Sequence, residues 1–475
     1  MPRKPLNMVS DAHKTTIGFV NLGCTKNQVD AEVMLGALAA KGFALTTEPE
    51  HAQVVIINTC GFIEEAKQES IDTIIEYGEL KKSGACKVLI ASGCLAQRYQ
   101  GDLLKELPEL DGVVGTGEIG RIADITQTLL KPGRQKQRLW MTPPPYLYDE
   151  LTPRLRIGKA HSAYVKIAEG CNRNCAFCAI PLMRGKQRSR PVDSIVEEAR
   201  RLAAEGVKEI NLISQDTVNY GVDLGLRRGL TTLLSELITV DGLRWIRPFY
   251  LYPQQVDDAL IDLYAGQDKI AKYIDMPLQH INDTILKAMH RLGNKRYITN
   301  LVDRLRQRIP GLTFRTAFIV GFPGETDAQF REVKQYLMEM EFDRVGIFVY
   351  SDEDDTPAVE LPGKLDRTLM EDRQAELLDL QETISLKRGQ QKIGSTLEVL
   401  VEGPSEETDL LIAARHEGQA PEIDGLVYIN DIEDSAEHTN LIQIHRDAAV
   451  PRPGDLVKVQ ITEAAAYDLV GHIVR

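Results

Sequence analysis

No apolar run in this 475-residue chain approaches the roughly 18 residues that a membrane-spanning helix needs. The N-terminus, Met1 to Lys14, mixes basic and polar residues without a signal-peptide core, so residues 1–13 read as a loose leader and export is not expected. Positive charge is also short, with 56 Lys and Arg against 69 Asp and Glu and a net charge of −13. Phosphate contact relies on a basic footprint, so this balance argues against nucleic-acid binding by the chain as a whole. A basic protein partner would suit it better. Cysteine is sparse and odd in number, seven in all, which argues against a disulfide scaffold. In a reducing cytoplasm, the expected location, such cysteines are better explained as metal ligands.

What the chain does have is the composition of a globular protein, 43% hydrophobic and 26% charged, and a length that implies two to four domains. Its densest chemistry lies in Tyr164-Val-Lys-Ile-Ala-Glu-Gly-Cys171-Asn-Arg-Asn-Cys175-Ala-Phe-Cys178. Three thiolates at C-x-x-x-C-x-x-C spacing can converge on one metal centre. A structural zinc site would want a fourth ligand, and the nearest histidine, His161, precedes an apparent strand. A zinc knuckle stays open as a reading, but an iron-sulfur cluster on three thiolates keeps one iron free, which suits catalysis.

From Thr16 onward short apolar runs alternate with amphipathic stretches. Strands are expected at Ile17–Leu22, Val54–Ile57, Lys87–Ile90 and from Val113, with helices at Asp30–Lys41, Ile63–Tyr77 and Ile119–Leu130. This alternation implies a doubly wound α/β domain over 14–130. Cys24, Cys60 and Cys94 each follow one of the first three strands, beside Gly23, Gly61 or Gly93. Ligands of open α/β sheets bind along that edge, so these three form a second candidate three-thiolate site. Cys86 precedes its strand and reads as structural.

Residues 131–156, rich in proline and without periodicity, are expected to be a linker. Over 157–388, βα units beginning at Tyr164, Glu209, Arg244, Tyr273, Thr313 and Arg344 predict a partial (β/α)6 barrel with its chemistry at the strands' carboxyl ends. There lie the three cysteines, Gln215 and Asp216, Gln279 and His280, and Gly321-Phe-Pro-Gly324-Glu325. A polar residue at a strand end can equally cap the next helix. The basic run Arg184–Arg190 fits either a solvated loop or a substrate contact.

A helix over Lys364–Lys392 leads to short β runs at Thr396–Val401, Leu426–Ile429, Leu441–Ile444 and Leu456–Ile461, which predict a small antiparallel β-barrel over 389–475. That segment holds six basic and sixteen acidic residues, most of the chain's negative charge. It would repel phosphate and attract a basic polypeptide.

The cysteine loop, with Phe177 before its third cysteine, resembles that of radical S-adenosylmethionine (SAM) enzymes. Gly23-Cys-Thr-Lys-Asn27, Asn58-Thr-Cys-Gly-Phe-Ile-Glu-Glu-Ala66, Cys178-Ala-Ile-Pro-Leu-Met-Arg-Gly-Lys186, Ser214-Gln-Asp-Thr217, Pro277-Leu-Gln-His280 and Ala420-Pro-Glu-Ile-Asp-Gly425 extend the resemblance over nearly the whole chain to the methylthiotransferase family. Thr25 stands where relatives often have proline, outside the ligand set. The resemblance implies an N-terminal three-cysteine domain, a radical SAM barrel, a C-terminal TRAM domain, SAM and two 4Fe–4S clusters. Cys171, Cys175 and Cys178 would hold the catalytic cluster and Cys24, Cys60 and Cys94 the second. Phe177, Gln215, Gly321, Gly324 and Glu325 would contact SAM. The implied substrate is an aspartate β-carbon in ribosomal protein twelve of the small subunit, met through the acidic barrel, with an electron donor such as flavodoxin. A tRNA adenosine, as in relatives of MiaB type, is the alternative substrate.

Overall fold

The computed structural model describes residues 14–84, 86–131, 137–143, 146–408, 410–432, 439–440 and 450–474. The leader at 1–13, part of the proline-rich stretch and the strand expected at Leu441–Ile444 lie outside the described residues. The chain forms two compact units. One runs to Ile157 and takes in Ile180–Gly185; the other comprises Gly158–Ala179 and the chain from Lys186 onward.

The first unit is a parallel sheet built from β1 (Thr16–Asn21), β2 (Ala44–Thr46), β3 (Val54–Thr59), β4 (Val88–Gly93), β5 (Gly112–Val114) and β6 (Leu139–Trp140), in the order β2-β1-β3-β4-β5-β6. β3 and β4 are buried along their whole length, which is why they read as continuous apolar, β-branched runs. The crossovers carry helices α1 (Thr25–Ala40), α2 (Glu64–Ser83), α3 (Cys94–Tyr99), α4 (Gly101–Glu106) and α5 (Ile122–Leu130). α2 has Glu64 and Glu65 in its first turn, Lys81 and Lys82 in its last, and stops at Gly84 with φ of 94°, charges and geometry that favour both ends. β2 and β6 were not expected. β6 lies within the stretch read as a linker, and that stretch is strapped to α1 further on. Arg154 Nε donates to Glu32 Oε2 at 2.6 Å, and the Leu155 amide donates to the Glu32 carbonyl at 2.9 Å. A Cβ on Gly36 would stand 2.4 Å from the Pro153 carbonyl oxygen, so the close crossing over α1 requires glycine there. Cys86 is buried in the apolar core, as expected of a structural cysteine.

The second unit contains six parallel βα strands, β7 (Ser162–Lys166), β10 (Glu209–Ile213), β11 (Trp245–Pro248), β12 (Tyr273–Asp275), β13 (Thr313–Val320) and β14 (Arg344–Val349), with a short β8 (Ala168–Glu169) and β9 (Arg188–Ser189) pair inserted after β7. Strands pair as β7-β10-β11 and β12-β13-β14, and an Ile246–Ile270 bridge joins the two sets. Among the described residues no pairing links β14 back to β7, so the barrel is partial. Its helices are α7 (Val192–Ala204), α8 (Gly229–Leu237), α9 (Asp258–Gly266), α10 (Asp283–Ala288), α11 (Lys295–Arg308), α12 (Asp327–Met340) and α13 (Arg367–Gln390); α6 (Ile180–Arg184) belongs to the first unit. α12 starts with a capping box between Thr326 and Gln329.

The C-terminal barrel closes through β15 (Thr396–Pro404), β16 (Ile412–His416), β17 (Val427–Ile432), β20 (Leu469–Ile473) and β19 (Leu456–Ala464), with β18 (Thr439–Asn440) beside β17. Four closing pairings are antiparallel, as expected, and β17–β20 is parallel. This barrel packs against the amino ends of the βα strands. Arg415 of β16 donates to Glu209 at the start of β10 (2.7 Å), Glu402 of β15 meets His161 ahead of β7 (3.1 Å), and Tyr273 at the start of β12 donates to Asp424 (2.8 Å).

Candidate metal centres

β1, β3 and β4 are neighbours, and their register aligns Asn21 with Asn58 and Asn58 with Ser92. Cys24, Cys60 and Cys94 follow just beyond that row. Cys24 caps α1 and is exposed, Cys60 follows β3, and Cys94 opens α3. The Cys60 backbone is pinned at both ends by Ser70, whose hydroxyl accepts from its N–H and donates to its carbonyl, each at 3.0 Å. Asn58 Nδ2 donates to Asn21 Oδ1 and to the Asn27 carbonyl, both at 2.8 Å. Asn58 thus ties the end of β3 to β1 and α1, and Thr59 Oγ1 ties it to β4 by donating to the Ser92 carbonyl at 2.5 Å. A Cβ on Gly23, whose φ is 87°, would stand 3.0 Å from the Cys60 sulfur, so only glycine leaves this edge open.

Burial pushes Cys60 up, and Cys94 up to about 12; Cys24 adds to both shifts, Cys60 adds to that of Cys94, and Arg184 opposes both. Two buried thiols that resist ionisation, beside the exposed Cys24, make a donor set that a bound cation would convert to thiolates, releasing protons. Among the described residues no three such side chains close tightly enough for a single ion; a cluster, whose irons each take a different thiolate, asks for a wider triangle. Arg184, buried in this unit, donates to the Cys94 sulfur from Nε at 3.2 Å and from Nη2 at 3.1 Å. The sequence offered no sign of this partner.

In the second unit Cys171, Cys175 and Cys178 share the loop after β8, and the Cys178 amide donates to the Cys175 carbonyl at 3.1 Å. The Arg173 amide donates to the Cys171 sulfur at 3.4 Å, and Arg291 lies within 3.8 Å of the Cys175 sulfur. Burial raises Cys171 to about 11. Two guanidiniums order the loop: Arg173 and Arg291 each sit 4.0 Å from the Tyr252 ring centroid, and Arg173 Nε donates to Asp216 at 2.6 Å. The Ala176 amide donates to the Met289 carbonyl (2.9 Å), and the Ala358 amide donates to the Ala176 carbonyl (2.8 Å).

Of the residues expected near SAM, Phe177 packs against an apolar cluster that contains Ala176, Phe322 and Tyr350, which ties the cysteine loop to the Gly321–Glu325 turn. Glu325 points back into that turn, accepting from the Gly321 amide and from Arg373 Nη1, both at 2.8 Å. Gln215 Nε2 donates to Glu169 Oε1 at 2.8 Å. The Gln215 Oε1, Asp216 Oδ1 and His280 Nε2 atoms are buried without a hydrogen-bond partner, His280 Nε2 standing 3.8 Å from Glu325 Oε2, an arrangement that suits a polar ligand at the barrel's carboxyl end. Burial holds His280 at about 3, so its ring is neutral near pH 7. The basic run is divided: Arg184 is buried, Arg190 is buried against Glu198 at 2.5 Å, and Lys186, outside any helix or strand, is exposed.

Comparison with known proteins matches residues 16–115 to a family described as uncharacterized protein family UPF0004, 165–337 to the radical SAM superfamily and 393–474 to the TRAM domain. The radical SAM methyltransferase TsrM from Kitasatospora setae, solved with cobalamin and a 4Fe–4S cluster, shares the fold at a TM-score of 0.53 with 16% identity over 73% of this chain and 74% of that one. Together these define a radical SAM enzyme with an added N-terminal domain and a TRAM barrel. Curated relatives narrow it. A ribosomal protein uS12 methylthiotransferase RimO from Myxococcus xanthus is 46% identical over 96% of this chain and 91% of its own length. One from Geotalea uraniireducens is 46% identical over 98% of this chain and 100% of its own. This chain belongs to the RimO methylthiotransferase family.

Proposed function

We propose that the protein adds a methylthio group to the β-carbon of an aspartate in ribosomal protein uS12. The observation that carries this reading is near-full-length similarity, at 46% identity, to enzymes named for that activity. In this reading Cys171, Cys175 and Cys178 hold one 4Fe–4S cluster and Cys24, Cys60 and Cys94 a second. With SAM, these groups supply radical attack on an unactivated carbon and a sulfur for methylation, chemistry that side-chain acids and bases cannot provide.

The chain's own residues bind and orient. Arg173 and Arg291, braced on Tyr252, hold the cysteine loop. Gln215 Oε1 and the backbone around Gly321 and Gly324 offer polar contacts for SAM, Phe177 walls the site, and Glu325 keeps the turn folded through Gly321 and Arg373. Apolar packing around Phe322 and Tyr350 limits water beside the loop. We assign the N-terminal domain to 14–130, a connecting stretch to 131–156, the radical SAM core to 157–388 and the TRAM domain to 389–475. The acidic TRAM surface meets the basic substrate, a flavodoxin-type protein donates electrons, and the enzyme works in the cytoplasm. Among the described residues no helix is long and apolar enough to cross a membrane.

The test incubates anaerobically reconstituted protein with SAM, reductant and either a uS12 peptide or tRNA. The expected result is a methylthio mass increase on the peptide aspartate. Mass on tRNA alone would overturn the substrate assignment.

A further inference from the structure

Arg184 follows Cys178 by six residues, yet it packs in the N-terminal unit, where its guanidinium is used on several sides. Nη1 donates to Asp30 Oδ2 at 2.6 Å and Nη2 to Asn27 Oδ1 at 2.5 Å, while Nε and Nη2 both face the Cys94 sulfur. Asn27 is itself fixed, since its Nδ2 donates to the Leu22 carbonyl at 3.0 Å and the Thr59 carbonyl at 2.9 Å, which leaves Oδ1 turned to Arg184. Asp30 is 4% exposed and Arg184 2%. A permanently charged group this deeply buried is costly unless each donor is met. One carboxylate balances it, Asn27 Oδ1 accepts from Nη2, and Nε and Nη2 both face the Cys94 sulfur.

We infer that Arg184 is the positioning residue of the Cys24–Cys60–Cys94 centre, holding Cys94 in place and favouring the more reduced state of the cluster bound there. The inference rests on the proposed role of that triad. Hydrogen bonds to ligand sulfurs and nearby charge are main determinants of cluster potential. An added electron places more negative charge on the sulfurs, and two N–H donors bearing a full positive charge stabilise that state more than the oxidised one. The fork geometry matters, because a lysine would keep the charge while losing the paired contact. The polypeptide that carries the first triad therefore also delivers the residue that tunes the second.

The experiment uses the full-length C171A/C175A/C178A variant, in which only the N-terminal triad can hold iron. After anaerobic reconstitution it should bind about four irons per chain. Adding R184Q should lower the reduced-to-oxidised ratio at a fixed potential about tenfold, a negative shift of about 59 mV for a one-electron couple, and change the electron paramagnetic resonance spectrum of the reduced centre. R184K should shift less. Because R184Q removes the guanidinium that pairs with buried Asp30, D30N/R184Q is measured beside it, and the same negative shift, or loss of iron from a chain whose circular dichroism is unchanged, supports the inference. A parental midpoint and spectrum in R184Q and in D30N/R184Q would overturn it. A parent variant that binds no iron would instead overturn the assignment of the triad, and the inference with it.

Discussion

Three cysteines just past three adjacent parallel strands are separated by 36 and 34 positions of sequence, yet the register of β1, β3 and β4 places them along one edge. If they hold a cluster of their own, the C24A/C60A/C94A variant should lose about half of the reconstituted iron and form no methylthio product. It should still cleave SAM, as read by release of 5′-deoxyadenosine, because Cys171, Cys175 and Cys178 are untouched. Loss of both activities together would argue against two separate centres. Arg291 carries a second residue-level prediction. It braces the first loop by stacking on Tyr252 and approaching Cys175, so R291A should slow SAM cleavage about tenfold or more while leaving total iron nearly unchanged. The cysteines were legible in the sequence because strand alternation fixes where a carboxyl end falls and thiols are rare. Arg184, Arg173 and Arg291 were not. An arginine reveals nothing about its partner until the chain is folded, and in all three cases the partner lies on another element.

Strand starts hold the second unit together as firmly as strand ends hold its chemistry. Glu209 is fully buried between Arg247 Nη2 at 2.9 Å and Arg415 Nη2 at 2.7 Å, and Arg415 also donates to Glu402 at 2.7 Å. E209Q would leave two guanidiniums buried without their shared carboxylate. Losing one partner of a buried charge set costs about 3–5 kcal/mol, so a clear fall in Tm by calorimetry is expected. Burial alone would push the Glu209 carboxyl up, but Arg415 and Arg247 outweigh it and hold it at about 2, below its ordinary 4.5. A depressed folded value means that its stabilisation is complete above about pH 4.5 and is lost as pH falls towards 2. The parent should therefore lose stability through that window more steeply than E209Q. The main strands of both units were readable from their apolar runs. β16 was not, since Ile412-Ala-Ala-Arg-His416 puts a buried arginine and a buried histidine in a strand, and its pattern makes sense only beside Glu209. β2, β6 and β20 are short, and pairing with a neighbour rather than local propensity forms them.

Within the second unit the TRAM barrel covers the amino ends of the βα strands, whereas Cys171, Cys175 and Cys178 lie towards the carboxyl ends. Part of the acidity that marked this barrel in the sequence is spent inward, because Glu398 pairs with Arg244 at 2.5 Å, Glu402 with Arg415, and Asp424 accepts from Tyr273. Glu406, Glu407 and Glu463 remain on its exposed surface. If those residues attract a basic substrate, they act from the end of the βα strands opposite the cysteine loop, so a substrate must reach from one end of the strands to the other to feel them. Reversing all three in E406K/E407K/E463K should raise KM for intact uS12 or for a small ribosomal subunit roughly three- to hundredfold, given that exposed charge pairs contribute about 0.2–1 kcal/mol each. The effect should shrink as salt is added, since a screened surface attraction falls off within a Debye length. KM for a short uS12 peptide should not change. Equal losses on peptide and intact protein would mean that the charges act on the barrel's fold, and no change on either would remove the acidic TRAM surface from substrate recognition.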